Sequence, residues 1–139
     1  MRTARIAALT GLVILFGGSA ATAKPAADGS FVSPSKRITC FTAVYNGQGF
    51  ARCSNALIGN RAAPTNDCPD APTFVDIRDS GRVRLVKQCG AGLPPGTLAY
   101  GDSVRRGQVR CTSLQTGVRC TSLKTHHGFK LNARSLQRF

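Results

Sequence analysis

The sequence predicts an all-β or mostly β fold: a small disulfide-linked β domain with two cross-strand-bridged hairpins and a short C-terminal helical turn. Three observations carry this expectation. Short apolar stretches alternate with turn residues at regular spacing, the pattern of an all-β or mostly β domain. The chain of 139 residues contains six cysteines, an even number that suits a covalent framework. Four of those cysteines lie symmetrically about candidate hairpin turns.

Residues 1–23 read as a secretory signal peptide. Arg2 and Arg5 precede an apolar run from Ile6 to Phe16, and Ala21-Thr22-Ala23 forms an A-x-A cleavage site before Lys24. The rival is a retained anchor, since the uncharged stretch from Ile6 to Ala23 is near the lower limit for spanning a bilayer. The expected location is secreted, extracellular or periplasmic, after cleavage near Ala23. Residues 24–30 are small and polar and are expected to form a mobile lead-in. Residues 31–139 then make a single domain, which rules out multidomain enzymes, repeat arrays and polytopic membrane proteins. The whole chain carries a formal charge of +13; without Arg2 and Arg5, 17 Lys/Arg against six Asp leave +11.

The elements follow in order. Ser33-Pro34-Ser35 is a turn before strand Ile38–Tyr45, and Gly49–Ser54 is its return strand. Between them stands Asn46-Gly47, the strongest signal for a two-residue type I′ turn, which needs positive φ at both positions. Counting outward places Cys40 opposite Cys53 at a non-hydrogen-bonded pair, where side chains approach most closely. Asn60–Thr73, with Pro64, Pro69 and Pro72, is loop. Phe74–Arg78 and Arg82–Gln88 are short strands around Ser80-Gly81. Gly90–Gly96 is a second loop and Leu98-Ala99-Tyr100 a short apolar stretch. Gln108–Leu114 and Val118–Leu123 form the second hairpin, and counting from Gln115-Thr116 sets Cys111 opposite Cys120. Gln-Thr is poor for a type I′ turn, so a longer loop is the alternative there. Phe129–Leu131 adds a strand, and Asn132 caps a helical turn over Ala133–Gln137.

Six cysteines allow 15 connectivities. The two hairpin registers give Cys40–Cys53 and Cys111–Cys120, and elimination leaves Cys68–Cys89. Zinc is the rival reading, but no ligand pair has the spacing of two to four residues that zinc sites use. A weak echo links Ile38-Thr39-Cys40 and Ala51-Arg52-Cys53 with Val109-Arg110-Cys111 and Val118-Arg119-Cys120.

Taken together, F-x-S-P-S-x-x-I-x-C at Phe31–Cys40, A-R-C at Ala51–Cys53, L-x-Y-G at Leu98–Gly101, R-C-T-S…G-V-x-C-T at Arg110–Thr121 and H-G-F-x-L at His127–Leu131 resemble a family of small secreted six-cysteine bacterial proteins of unknown function. The resemblance implies export and a small disulfide-linked domain, and it brings no catalytic residue. Members of that family often carry Trp between the second and third cysteines; this chain keeps Pro64 there and has no Trp.

Candidate chemistry is sparse. All six acids are Asp and there is no Glu. His126-His127 is the sole histidine cluster, but neighbours on a strand face opposite ways and cannot easily share a ligand. Asp76, Asp79 and Asp102 read as turn-forming and solvated. No Ser sits in a G-x-S-x-G elbow, and bridged cysteines supply no thiol. No catalytic residue, metal or cofactor is assigned. Phe41, Tyr45 and Phe50 share one face of the first hairpin, and because the hairpin is apolar on both faces, this face is expected to pack within the core.

The strongest functional signal is cationic. Arg78, Arg82, Arg84 and Lys87 cluster in the middle of the chain, and Arg105, Arg106, Arg110, Arg119 and Lys124 around the second hairpin. Arg110 and Arg119 are expected to project away from Val109, Cys111, Val118 and Cys120. Such charge attracts polyanions. The expected function is non-enzymatic binding, by a monomer, of an anionic polymer or envelope surface. Peripheral membrane contact, without recognition of a specific nucleic acid, belongs to the same reading. The alternatives are an inhibitor or toxin-like protein using the Gly90–Gly96 loop, and a hydrolase whose site the sequence does not reveal.

Overall fold

A computed structural model describes residues 29–63, 68, 70–89 and 95–139. The expected signal peptide and most of the lead-in lie outside the described residues, as do most of the Gly90–Gly96 loop and part of the Asn60–Thr73 loop. The strands are β1 (Phe31–Val32), β2 (Thr39–Tyr45), β3 (Gln48–Ser54), β4 (Thr73–Arg78), β5 (Val83–Lys87), β6 (Gly96–Thr97), β7 (Ser103–Arg106), β8 (Val109–Leu114), β9 (Gly117–Ser122), β10 (Gly128–Leu131) and β11 (Leu136–Arg138). One short helix, α1 (Ala56–Gly59), follows Asn55, whose side chain accepts the Ile58 N–H as an N-cap.

Two sheets form, in the orders β5-β4-β3-β2-β1-β6 and β11-β10-β9-β8-β7. They stack with β2 over β7, β3 over β8 and β4 over β9. The mostly β disulfide-linked fold expected from the sequence is therefore present, as a sandwich. Each sheet is a five-strand antiparallel meander, β1 to β5 and β7 to β11, and β6 joins the first sheet parallel to β1. In both meanders a disulfide joins the second strand to the third. One cross-strand row reads Phe31, Cys40, Cys53, Val75, Leu85. Its counterpart reads Val104, Cys111, Cys120, Phe129, Arg138. The weak sequence echo thus corresponds to one structural plan used twice.

The disulfides are Cys40–Cys53, Cys68–Cys89 and Cys111–Cys120, the first and last as the hairpin registers predict and the second as elimination leaves it. Asn46 and Gly47 both take positive φ, 50° and 74°, as a type I′ turn demands. The second hairpin keeps its register with a different turn: Leu114 pairs with Gly117, and Gly117 alone takes positive φ, 129°. A Cβ there would lie 2.3 Å from the Leu131 carbonyl oxygen, so glycine also lets this turn sit against β10. Both hairpin disulfides hold Cα atoms 4.1 Å apart, as non-hydrogen-bonded pairs do. Their sulfurs meet between the sheets, Cys53 Sγ 3.9 Å from Cys120 Sγ.

Around them pack Phe31, Ile58, Ile77, Leu98, Phe129 and Leu131, all buried. Packing begins before the expected domain start: Gly29 and Ser30 are buried, and the Gly29 carbonyl accepts from Thr42 N–H and Oγ1–H.

The expected C-terminal helical turn is absent. Asn132 does cap the chain, its Oδ1 accepting from the N–H groups of Arg134 and Ser135 and from Ser135 Oγ–H. The capped segment is a tight turn, and Leu136–Arg138 returns as β11 against β10. Edge pairing satisfies the backbone of those residues, so the helical alternative loses.

Removing the Cys68–Cys89 bridge, which closes a separation of 21 residues, should cost about 3 kcal/mol of loop-closure entropy. Removing Cys40–Cys53, with a separation of only 13, should cost more, because a cavity opens between the sheets as well. Guanidinium unfolding of the two Cys→Ala double variants checks this order; a smaller loss for the Cys40/Cys53 pair contradicts it.

Candidate functional site

The alternation that buries Val109, Cys111, Val118 and Cys120 turns Arg110 and Arg119 outward, because successive strand side chains face opposite ways. Arg105 stands directly opposite Arg110, a like-charge cross-strand pair that weakens a sheet. The five strands of the second sheet contain six cations and no carboxylate. Arg119 lies over the Phe139 ring at 4.2 Å, close enough for a cation–π contact.

The turns bring further charge to one end of the sandwich. Asp79, in the β4–β5 turn, is the hub. Its N–H donates to the Gly49 carbonyl, its Oδ1 accepts the Gln108 N–H at 2.9 Å, and its carbonyl accepts from Ser122 Oγ–H at 2.6 Å. These bonds tie the β4–β5 turn to β3, the β7–β8 turn and the end of β9. Close packing completes the junction: a Cβ on Gly49 would fall 1.9 Å from the Arg106 carbonyl oxygen. On Gly81, whose φ is 78°, a Cβ would fall 2.1 Å from Thr125 Oγ1.

Arg78, Arg82, Arg105, Arg106, Arg110 and Lys124 all stand on or beside these turns. Arg105 is held by the Gly107 carbonyl and Gln108 Oε1, and Arg106 by the Arg105 carbonyl. Among the described residues, no carboxylate comes within ion-pairing distance of any of the six. Among the described residues Asp79 is the aspartate at this end, and its Oδ1 is committed to a backbone N–H.

The nine predicted cations are therefore not one patch. Six gather at the turn end. Arg84 lies on the outer face of the first sheet and Arg119 on the opposite outer face of the second. Lys87 ends β5 away from the Asp79 turn, opposite Thr73.

Two expectations are corrected by the first sheet's outer face. Phe41 and Tyr45 are exposed, 37% and 66%, instead of packing in the core; the second sheet covers the disulfide face and leaves theirs open. Asp76 is neither in a turn nor solvated. It is 2% exposed and accepts both Arg52 Nε–H and Nη2–H, at 2.7 and 2.6 Å. Arg52 in turn lies between the Phe50 and Phe74 rings, 5.9 Å from each. Sequence reasoning missed this pair because the 52–76 register crosses a long loop that no local turn rule spans.

His126 sits in the β9–β10 turn at φ 63°, and His127 Nδ1 lies 3.2 Å from the Phe139 carbonyl oxygen. No group of three or more metal-ligating side chains forms among the described residues. No family model, no curated protein and no solved structure matches the chain.

Replacing Arg52 by Met should destabilise the domain by about 3–5 kcal/mol, because Asp76 would be left buried and unpaired. The double variant Arg52→Met/Asp76→Leu should recover most of that loss. Chemical denaturation of the three proteins checks this, and a single variant as stable as the parent contradicts it. Asp79→Ala should release the Gln108 amide, seen as faster hydrogen exchange there than at Cys111.

Proposed function

We propose that the protein is exported and binds an anionic polymer of the cell envelope through the turn end of the sandwich, without catalysis. The observation that carries this reading is the gathering of Arg78, Arg82, Arg105, Arg106, Arg110 and Lys124 around Asp79, the one aspartate that the described residues place at this end. Like charges crowded on a domain cost stability, and a polyanion repays that cost by releasing its counterions. The three disulfides fit an oxidising extracellular or periplasmic compartment, and the N-terminal Arg2/Arg5, apolar and A-x-A sequence fits a cleaved signal. No helix among the described residues is long and apolar enough to cross a membrane. Arg105 and Arg106 are pre-set by hydrogen bonds to their own turn, which lowers the entropy lost on binding.

Linear polyphosphate is a suitable probe. Its affinity should fall steeply with salt, with a log–log slope of about one per contact. The triple variant Arg82→Ser/Arg105→Ser/Lys124→Ser should flatten that slope by about two to three. The control Arg84→Ser/Arg119→Ser should change it far less. Equal losses in the two variants, or binding indifferent to salt, would refute the reading.

A further inference from the structure

The opposite end of the sandwich is built differently. There the β1–β2, β8–β9 and β10–β11 turns and the Tyr100 turn surround a groove of about 560 Å³, within the size range of small-ligand sites. Arg37 enters it from the first sheet and Arg134 from the second, and both are exposed. Neither guanidinium makes a hydrogen bond or ion pair among the described residues. Among the described residues, no carboxylate lines the groove. Tyr100, 44% exposed, offers an aromatic ring, and Ser35 and Gln115 add a hydroxyl and an amide.

The walls are fixed before any ligand arrives. Lys36 is held at φ 60° by its N–H bond to the Ser33 carbonyl, a conformation that costs a non-glycine residue energy. It sets the direction of the neighbouring Arg37 backbone. Asn132 Oδ1 closes the turn that carries Arg134 with three accepted hydrogen bonds. Gly117 allows the β8–β9 turn to touch the Leu131 backbone, which joins two of the walls.

We propose that this groove binds one pyranose unit bearing an acidic group, either a carboxylate or a phosphate ester. Guanidinium groups recognise both anions through paired N–H donors. The Tyr100 ring face, electron-rich at its centre, attracts the polarised C–H face of a sugar. Hydroxyl and amide side chains suit the ring hydroxyls. A lipid tail would leave both guanidiniums unpaired, and a bare polyanion would leave the aromatic ring unused. The proposal is independent of polyanion binding at the turn end, because it uses none of the same residues.

The chain has two tyrosines and no Trp, so in a Tyr45→Phe protein Tyr100 is the remaining tyrosine fluorophore. That protein is titrated with glucuronic acid, glucose 6-phosphate, glucose and inorganic phosphate. Saturable change with glucuronic acid, glucose 6-phosphate or both, at least tenfold tighter than with glucose and with inorganic phosphate, is expected. The two acids compared with each other identify the anionic group. Arg37→Gln and Arg134→Gln should each weaken binding at least tenfold in that background, while the Arg82/Arg105/Lys124 triple variant should not. Backbone amide spectra of each variant verify the fold. Absence of saturation with both acids, equal binding of glucose or of inorganic phosphate, or unchanged affinity in the two arginine variants overturns the proposal.

Discussion

Two disulfides placed back to back hold this domain together. Cys40–Cys53 and Cys111–Cys120 each bridge neighbouring strands, and Cys53 and Cys120 meet at 3.9 Å between the sheets. The composition makes such a centre useful. There is no Trp, and among the described residues the largest fully buried side chains are two phenylalanines, Phe31 and Phe129. A small domain buries too little surface to be strongly stable by core alone. The sulfurs fill the middle of the core with dense, apolar volume and also restrict the unfolded chain. Because each bridge occupies a pair whose side chains share the inner face, a slip of one residue would turn both sulfurs toward solvent. The bridges therefore lock the register as well as the distance.

From that register the charge distribution follows. Ile38, Ala51, Val109 and Val118 lie two residues before their cysteines and are buried with them. Thr39, Arg52, Arg110 and Arg119 lie one residue before and face outward. On the first sheet one such cation, Arg52, is neutralised by Asp76 and lies between two aromatic rings. On the second sheet no acid is available, and Arg105 and Arg110 remain opposite each other. An arrangement that costs stability where it could have been avoided is more informative about binding than net charge alone.

The legible parts of the sequence were those decided by neighbours in the chain. Asn46-Gly47 dictates its own turn, and counting from it reaches Cys53 without knowledge of anything else. The second hairpin kept its expected register although Gln115-Thr116 lacks type I′ chemistry, because Gly117 supplies the needed φ one residue later. What lay beyond the sequence depends on distant partners. β1 and β6 are two residues each and exist because Phe31 and Val32 pair on both sides. Asn132 was recognised as a cap, yet whether the next residues coil or extend is decided by the vacant edge of β10. The open face of Phe41 and Tyr45 depended on which side the second sheet would cover, and alternation alone does not choose between two apolar faces. Likewise the cations at the turn end converge only because Asp79 ties together turns from both sheets.

The same sandwich thus presents two ends of different chemical character, and the difference lies in their turns. At the Asp79 end, glycines at 49 and 107 let backbones approach closely, and Gly81 admits the Thr125 side chain. The turns close on one another, and the long cationic side chains beside them are displaced outward into solvent. Charge there is spread over an open surface, which suits an extended partner more than a small one. At the Asn132 end, Asn132 caps the β10–β11 turn and Gly117 lets the β8–β9 turn meet the Leu131 backbone, and the gap between these turns and the β1–β2 turn remains as a groove. Two guanidiniums and a tyrosine ring border a bounded space there, which suits a ligand with edges. One framework of paired disulfides supports both arrangements, because it fixes the strands and leaves the turn sequences at either end to determine what each end can hold.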